Sequence, residues 1–272
     1  MTTTRLFAHD VEKPWGRTDI PSAIAPTQGR RVGEVWFSAP TPSEGAALPL
    51  LVKYIFTSEK LSVQVHPDDV QARDRGLQGG KSECWYILDA EPDARLGIGL
   101  TRELTPEALR AAALDGSIEA LMDWKPVRAG SFYYIPAGTV HAIGGGVTLV
   151  EVQQNNDVTY RLYDYGRPRA LHLEEAITVS ATALYDLPDR IVPITAEERL
   201  VSGDGAPFIL DLMQGEAKTV QRIEGEMAWF IPLAGTGMID GEPWRQGECW
   251  LIQGTAALTI DSRMSALLAR LP

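Results

Sequence analysis

The sequence predicts a mainly β protein, a sandwich or small barrel with short helical inserts. Three observations carry this. Short stretches rich in β-branched and aromatic residues, bounded by Gly, Pro or Asp, recur along the chain. Helical patterns are few. After about residue 180 the strand-and-turn texture repeats, "GSFYYIPAGTVHAIGGGVTLVEV" being echoed by "MAWFIPLAGTGMIDGEPWRQGECWLIQGTAALTI".

Taken in order, "GEVWFSA" and "LLVKYIFT" read as the opening strands of this set. "KLSVQVH" follows, and strand alternation puts Ser62, Gln64 and His66 on one face and Leu61, Val63 and Val65 on the other. "HPDDVQARDRG" suits a short helix. Before "ECWYIL", alternation places Lys81 on the face of Glu83. "TPEALRAAALDGSIEALMDW" predicts a helical insert near 105–124, with Thr105 as cap, Pro106 at the first helical position and a break at Asp115-Gly116. "SFYYIPA" lies between Gly130 and a Pro136-Ala137-Gly138 turn, after which His141 opens the next strand. In "VTLVEVQ", Glu151 faces the same way as Leu149 and Gln153. "VTYRLYD" is a further strand and "HLEEAITVSA" a helix near residue 175. The expected organisation is two β-domains, 1–183 with the helical insert and 184–272, with "LYDLPDRIVPITAEERL" as connector. No histidine follows His172, so the second domain is expected to hold no metal site.

With 44% hydrophobic and 22% charged residues in 272, the composition is that of a folded globular protein. The longest apolar runs stop well short of the ~20 residues that span a bilayer. No apolar stretch of signal-peptide length stands near the start, so a cytoplasmic protein is expected. Cys84 and Cys249, far apart among strand-like residues, are expected to be buried thiols. A net charge of −11 without a basic run argues against nucleic-acid or anionic-membrane partners. An anionic small molecule is not excluded, because a few cations in one pocket set the local potential.

The spacing Gly-x5-Pro-x-Gly-x2-His over 130–141 resembles the second motif of the cupin superfamily, whose strands form a jelly-roll barrel. "KPWG", "SVQVHPDD", "GKSECWYIL", "PAGTVHAI" and "EVQQNNDVTYRLYDYGR", in that order, look like a type I mannose-6-phosphate isomerase of the short bacterial form, over roughly residues 11–180. The resemblance implies two cupin barrels, the second without metal ligands, and one zinc ion (Zn2+) held by Gln64, His66, Glu83 and His141. It implies interconversion of mannose 6-phosphate and fructose 6-phosphate through an enediol. Lys81, Glu151 and Arg161 are then the catalytic candidates. Ser62, Lys81, Asp157 and Arg161 line the substrate side, and Lys53, Arg167 and Arg169 are further phosphate candidates. Which residue moves the proton stays open.

The residue chemistry agrees with this implication. Two imidazoles, a carboxylate and an amide oxygen suit zinc and leave it a net positive Lewis acid. Arginine's fork of donors suits phosphate or an anionic intermediate. Taken singly, each residue has a plainer reading: His66 as a satisfied core histidine, His141 as a turn cap, Glu83 as the partner of Lys81. Their joint occurrence in order favours the metal. His9 and His172 have no partner motif and are expected to be structural or exposed, and the aromatics of "FYY" and "CWY" to pack the barrel. The alternatives are an iron-dependent oxygenase on the same barrel, an isomerase of another aldose, or a non-catalytic sugar-binding module. A monomer or homodimer is expected.

Overall fold

The computed structural model describes residues 2–25, 27–39, 48–181 and 183–272. A seven-stranded and a five-stranded antiparallel sheet form the amino-terminal part. The larger runs, edge to edge, through Arg190–Ile191, Ser131–Ile135, Glu83–Ala90, Val147–Gln154, Leu50–Phe56, Val32–Ser38 and Phe7–Arg17. The smaller runs through Tyr160–Tyr163, Val63–Val65, His141–Ile143, Arg95–Leu100 and Met122–Pro126. One apolar core joins the facing sides: Trp85, Ile87, Tyr133 and Leu149 from the larger sheet meet Leu96, Ile98 and Ile143 from the smaller. This is the expected jelly-roll sandwich.

Short helices flank the smaller sheet, and those after residue 105 cover its outer face. Asp69–Asp74 is capped by Asp68, whose side chain accepts from the Gln71 N–H while the Gln71 side chain accepts from the Asp68 N–H, a reciprocal capping box. Pro106–Asp115 starts at a Thr105 cap and ends on Gly116 at φ 81°, a left-handed position suited to glycine. Leu109, Ala112 and Ala113 from it, with Ala176 and Val179 from Leu173–Val179, bury Val63, Val65 and Ala142. Val63 and Val65 thus take the predicted outer face. Leu61 does not: regular strand begins at Val63, alternation does not extend back to Leu61, and its side chain packs on the inner core.

The outer face of the seven-stranded sheet is covered by the rest of the chain. Val52, Tyr54, Phe56, Tyr86, Val150 and Val152 share a core with Phe208, Leu210, Trp229, Ile231 and Leu267. This carboxy-terminal sheet is built on two long antiparallel strands, Thr219–Ile239 and Trp250–Arg270. Ala228 opposes both Ile252 and Arg270, so the sheet curls around a second core of Phe230, Trp244, Trp250, Ile252 and Leu258. Two short strands cross the 183/184 division: Thr2–Arg5 pairs with the carboxy-terminal sheet, and Arg190–Ile191, inside the connector, pairs with Ser131 and Phe132. Cys84 and Cys249 are free, buried thiols whose pKa burial pushes up. Among the described residues no helix is long and apolar enough to cross a membrane.

Phe208 is fully buried in the shared core and meets Tyr134 edge-on at 6.0 Å between ring centroids. Phe208→Ala is expected to cost about 3–5 kcal/mol in urea unfolding. A loss below about 1 kcal/mol would mean that this core does not join the two sheet systems.

Candidate metal centre

Strand register assembles the site. On the five-stranded sheet Arg161 opposes Gln64 and Gln64 opposes His141, one row of inward side chains. On the facing sheet Trp85 opposes Glu151, Glu151 opposes Lys53, and Lys53 opposes Trp36. Opposed residues in antiparallel strands have adjacent side chains, so each row is a set of contacts.

His66, Glu83 and His141 converge with their ligand atoms within 4.8 Å of one another. Glu83 Oε2 lies 3.5 Å from His66 Nε2, and its Oε1 lies 3.4 Å from His141 Nε2. Each imidazole spends its other nitrogen on backbone: His66 Nδ1–H donates to the Val158 carbonyl at 2.8 Å and His141 Nδ1–H to that of Thr139 at 2.9 Å. These bonds assign the proton to Nδ1 and leave both Nε2 lone pairs facing Glu83. The turn between strands is part of the same frame. Gly138, at φ 88°, donates its N–H to the His66 carbonyl at 2.8 Å, so the glycine that leads to His141 also pins His66.

Gln64 and Lys81 complete the cluster. The Ser62 hydroxyl donates to Gln64 Oε1 at 3.1 Å, while Gln64 Nε2 donates to His141 Nε2 at 3.3 Å. The carboxamide therefore presents nitrogen to the cluster, and a half-turn about its last bond would present oxygen. Lys81 Nζ donates to His66 Nε2 at 3.2 Å and stands 3.1 Å from Glu83 Oε2. Despite that proximity neither Glu83 oxygen receives an aligned hydrogen bond, although both are buried.

The electrostatics follow from burial. Desolvation holds His66 well below the ordinary histidine range, helped by Lys81 and His141, and brings His141 down to about 4. It pushes the Glu83 carboxyl up, against the pull of Lys81. Two neutral imidazoles and a carboxyl with unsatisfied oxygens, sealed from water, form an acceptor-rich nest that a borderline cation would satisfy.

A cavity of about 410 Å³ adjoins this nest, and Ser62, Gln64, Lys81, Glu151, Asp157 and Arg161 all line it. The three convergent ligands do not; Gln64 and Lys81 touch them and form the boundary. Glu151 is 3% exposed, with Oε2 accepting from Trp85 Nε1 at 3.0 Å and Oε1 3.2 Å from Lys53 Nζ. Burial alone would raise its pKa, but the Lys53 and Lys81 charges and the indole donor outweigh burial and lower it. Arg161 is half-buried, and its Nε has no hydrogen-bond partner. Burial and the nearby Arg169 charge lower its pKa, so the guanidinium gains from an anion.

The other predicted cations divide. Lys53 reaches the cavity, but as the buried partner of Glu151 rather than a free phosphate ligand. Arg169 lines the cavity while gripping Asp164 through two bonds of 2.6 Å. Arg167 is not a lining residue; it donates to the Lys60 carbonyl and stands over the Tyr165 ring. His9 bonds Ser38 in an exposed position, as expected. His172 has the expected structural contact, its Nδ1 accepting the Arg161 N–H at 3.3 Å, and in addition lines the cavity. That contact closes a loop and leaves no periodic trace in sequence. Glu34 and Trp36 were also missed. The signal was there, since alternation in "GEVWFSA" sets a carboxylate and an indole together on the inner face.

No protein-family model matches the chain. It is 36% identical over 217 residues to the mannose-6-phosphate isomerase ManA of Bacillus subtilis, covering 66% of this chain and 69% of that protein. It is 42% identical over 143 residues to the mannose-6-phosphate isomerase of Streptococcus mutans, covering 50% and 45%. The chain spans between 45% and 69% of the length of the curated relatives it matches. Among solved structures, the mannose 6-phosphate isomerase of Bacillus subtilis superposes with a TM-score of 0.79 over 99% of each chain at 22% identity. A zinc-bound mannose 6-phosphate isomerase superposes with a TM-score of 0.71 over 100% of each at 14% identity. These likenesses establish the cupin fold.

The buried Lys53–Glu151 pair yields a stability test. Lys53→Met leaves a carboxylate buried beside one indole donor and is expected to cost about 3–5 kcal/mol. Lys53→Met with Glu151→Gln removes both charges, keeps an acceptor for Trp85, and should recover much of the loss. Equal denaturation midpoints for the single and double variants would contradict the pair as described.

Proposed function

The chain belongs to the mannose-6-phosphate isomerase family, and on that premise we propose that it interconverts mannose 6-phosphate and fructose 6-phosphate using one zinc ion per chain. The observation that carries this is the nest of two imidazole lone pairs and a buried carboxyl beside a cavity holding a buried, ionised carboxylate. The names of the relatives support the substrate, and a phosphosugar suits a pocket in which Arg161 has an unpartnered buried donor.

His66 and His141 through Nε2, Glu83 through its carboxylate and Gln64 through its amide oxygen would hold the metal. Zinc supplies Lewis acidity towards a substrate oxygen. Glu151, desolvated yet ionised at neutral pH, takes the proton from C2 of the open-chain aldose. The C–H electron pair forms the C1–C2 double bond, and the carbonyl pair moves to O1. Delivery of that proton from Glu151 to C1, as the O2 hydroxyl proton passes to O1 and the C2=O2 bond forms, then yields the ketone with its C1 hydroxyl. Lys81, a donor at the cavity wall, is placed to hold O1 or O2 as their protons exchange. Arg161 binds the anion, and Ser62 and Asp157 hold sugar hydroxyls.

The test is a coupled assay from mannose 6-phosphate with chelator-stripped protein, before and after zinc is added. Activity should return with zinc, at one zinc per chain. His141→Ala should lose the zinc and the activity together. Glu151→Gln should keep the zinc and lose about 10²–10⁴-fold in kcat. Folded, zinc-loaded protein without turnover would overturn the assignment.

A further inference from the structure

We propose that Trp85 is a positioning residue of this reaction: one indole fixes which oxygen of Glu151 moves the proton and steadies the ring of His141. The inference rests on Glu151 as the proton-transferring group. Trp85 is fully buried in the inward row, between Tyr133 and Glu151 on the neighbouring strands. Its Nε1–H donates to Glu151 Oε2 at 3.0 Å, and its ring meets that of His141 edge-on, with centroids 5.4 Å apart at 73°. Among the described residues no other side chain makes both contacts.

The chemistry of the indole makes this assignment specific. Tryptophan is a donor only, with one N–H in the ring plane, so Trp85 can satisfy one carboxylate oxygen and cannot exchange roles with it. Oε2 is thereby committed. Oε1, 3.2 Å from Lys53 Nζ, is buried without an aligned hydrogen bond, so its lone pairs are the ones left uncommitted. Without the indole donor the carboxylate is free to turn both oxygens towards the Lys53 ammonium. A base that must serve two adjacent carbons depends on such orientation, and small misplacements are costly. Phenylalanine would fill most of the same space, so the donor is what the site requires beyond packing.

The experiment is Trp85→Phe, which keeps a ring and removes the donor. Zinc should stay at one per chain and KM within about threefold, while kcat falls about 10–100-fold. Made in the Glu151→Gln background, the same change should cost no more than about twofold, because a residue acting through Glu151 is not additive with it. The Trp85 indole N–H resonance of labelled wild-type protein, assigned through bonds, should move on Glu151→Gln; this reading needs no Trp85 variant to fold. Full kcat in Trp85→Phe, loss of zinc, or an equal loss in both backgrounds would overturn the proposal. So would an indole resonance indifferent to Glu151→Gln. Full activity of Glu151→Gln would instead sink the reading of Glu151 as base, and this inference with it. Wild-type protein without turnover would sink the substrate assignment, and the indole resonance would still decide the contact.

Discussion

The structure is organised around the burial of one carboxyl group. Glu83 is 1% exposed, and neither of its oxygens has an aligned hydrogen bond. Such a group is costly inside a protein unless opposite charge or a cation meets it. Only one neighbour, an ammonium at 3.1 Å, answers that cost; two imidazoles turn their lone pairs inward, held from behind by backbone, and leave room for a cation's charge. The surrounding sheets give this arrangement its rigidity.

The sandwich meets the requirement because its two sheets present rows rather than isolated residues. Arg161, Gln64 and His141 form one row, and Trp85, Glu151, Lys53 and Trp36 form the other. Each is apolar behind and polar ahead: alternate residues of the same strands feed the outer cores, under the helices on one side and the carboxy-terminal sheet on the other. The carboxy-terminal sheet therefore contributes to the site without touching it. It dries the back of the strands that carry Glu83, Glu151 and Lys53: desolvation pushes Glu83 up, while at Glu151 and Lys53 the neighbouring opposite charges outweigh it.

Those shifts separate two carboxylates on neighbouring strands. Glu83 is pushed up by burial, which outweighs the pull of Lys81; at Glu151 the Lys53 and Lys81 charges and the indole donor outweigh burial and pull it down. Environments that drive paired acids apart assign them different tasks. Here Glu83 stands among the imidazole lone pairs, and Glu151, ionised, lines the cavity. The glycine turn at 136–138 bears on both outcomes, since it sets His141 in register with Gln64 and binds the carbonyl of His66.

Much of this was legible in the sequence. The strands, the Thr105 cap, the Gly116 stop and the inward set of Ser62, Gln64 and His66 follow from local rules of alternation and capping, which act within a few residues. The four ligand candidates, with Lys81, Glu151, Asp157 and Arg161, came from an ordered set of motifs, and the fold places the non-ligand residues on one cavity. Local rules failed where contacts depend on chain closure or on a neighbour across the sheet. Leu61 turned inward because the strand starts after it. Lys53 became a buried partner because register set it opposite Glu151, and His172 reached the cavity through the backbone of Arg161. Sequence determined which chemical groups the protein has and which face of each strand they occupy. Only the tertiary structure decided which of them meet and what burial does to their charges, because register, loop closure and desolvation belong to the packed chain rather than to any segment of it.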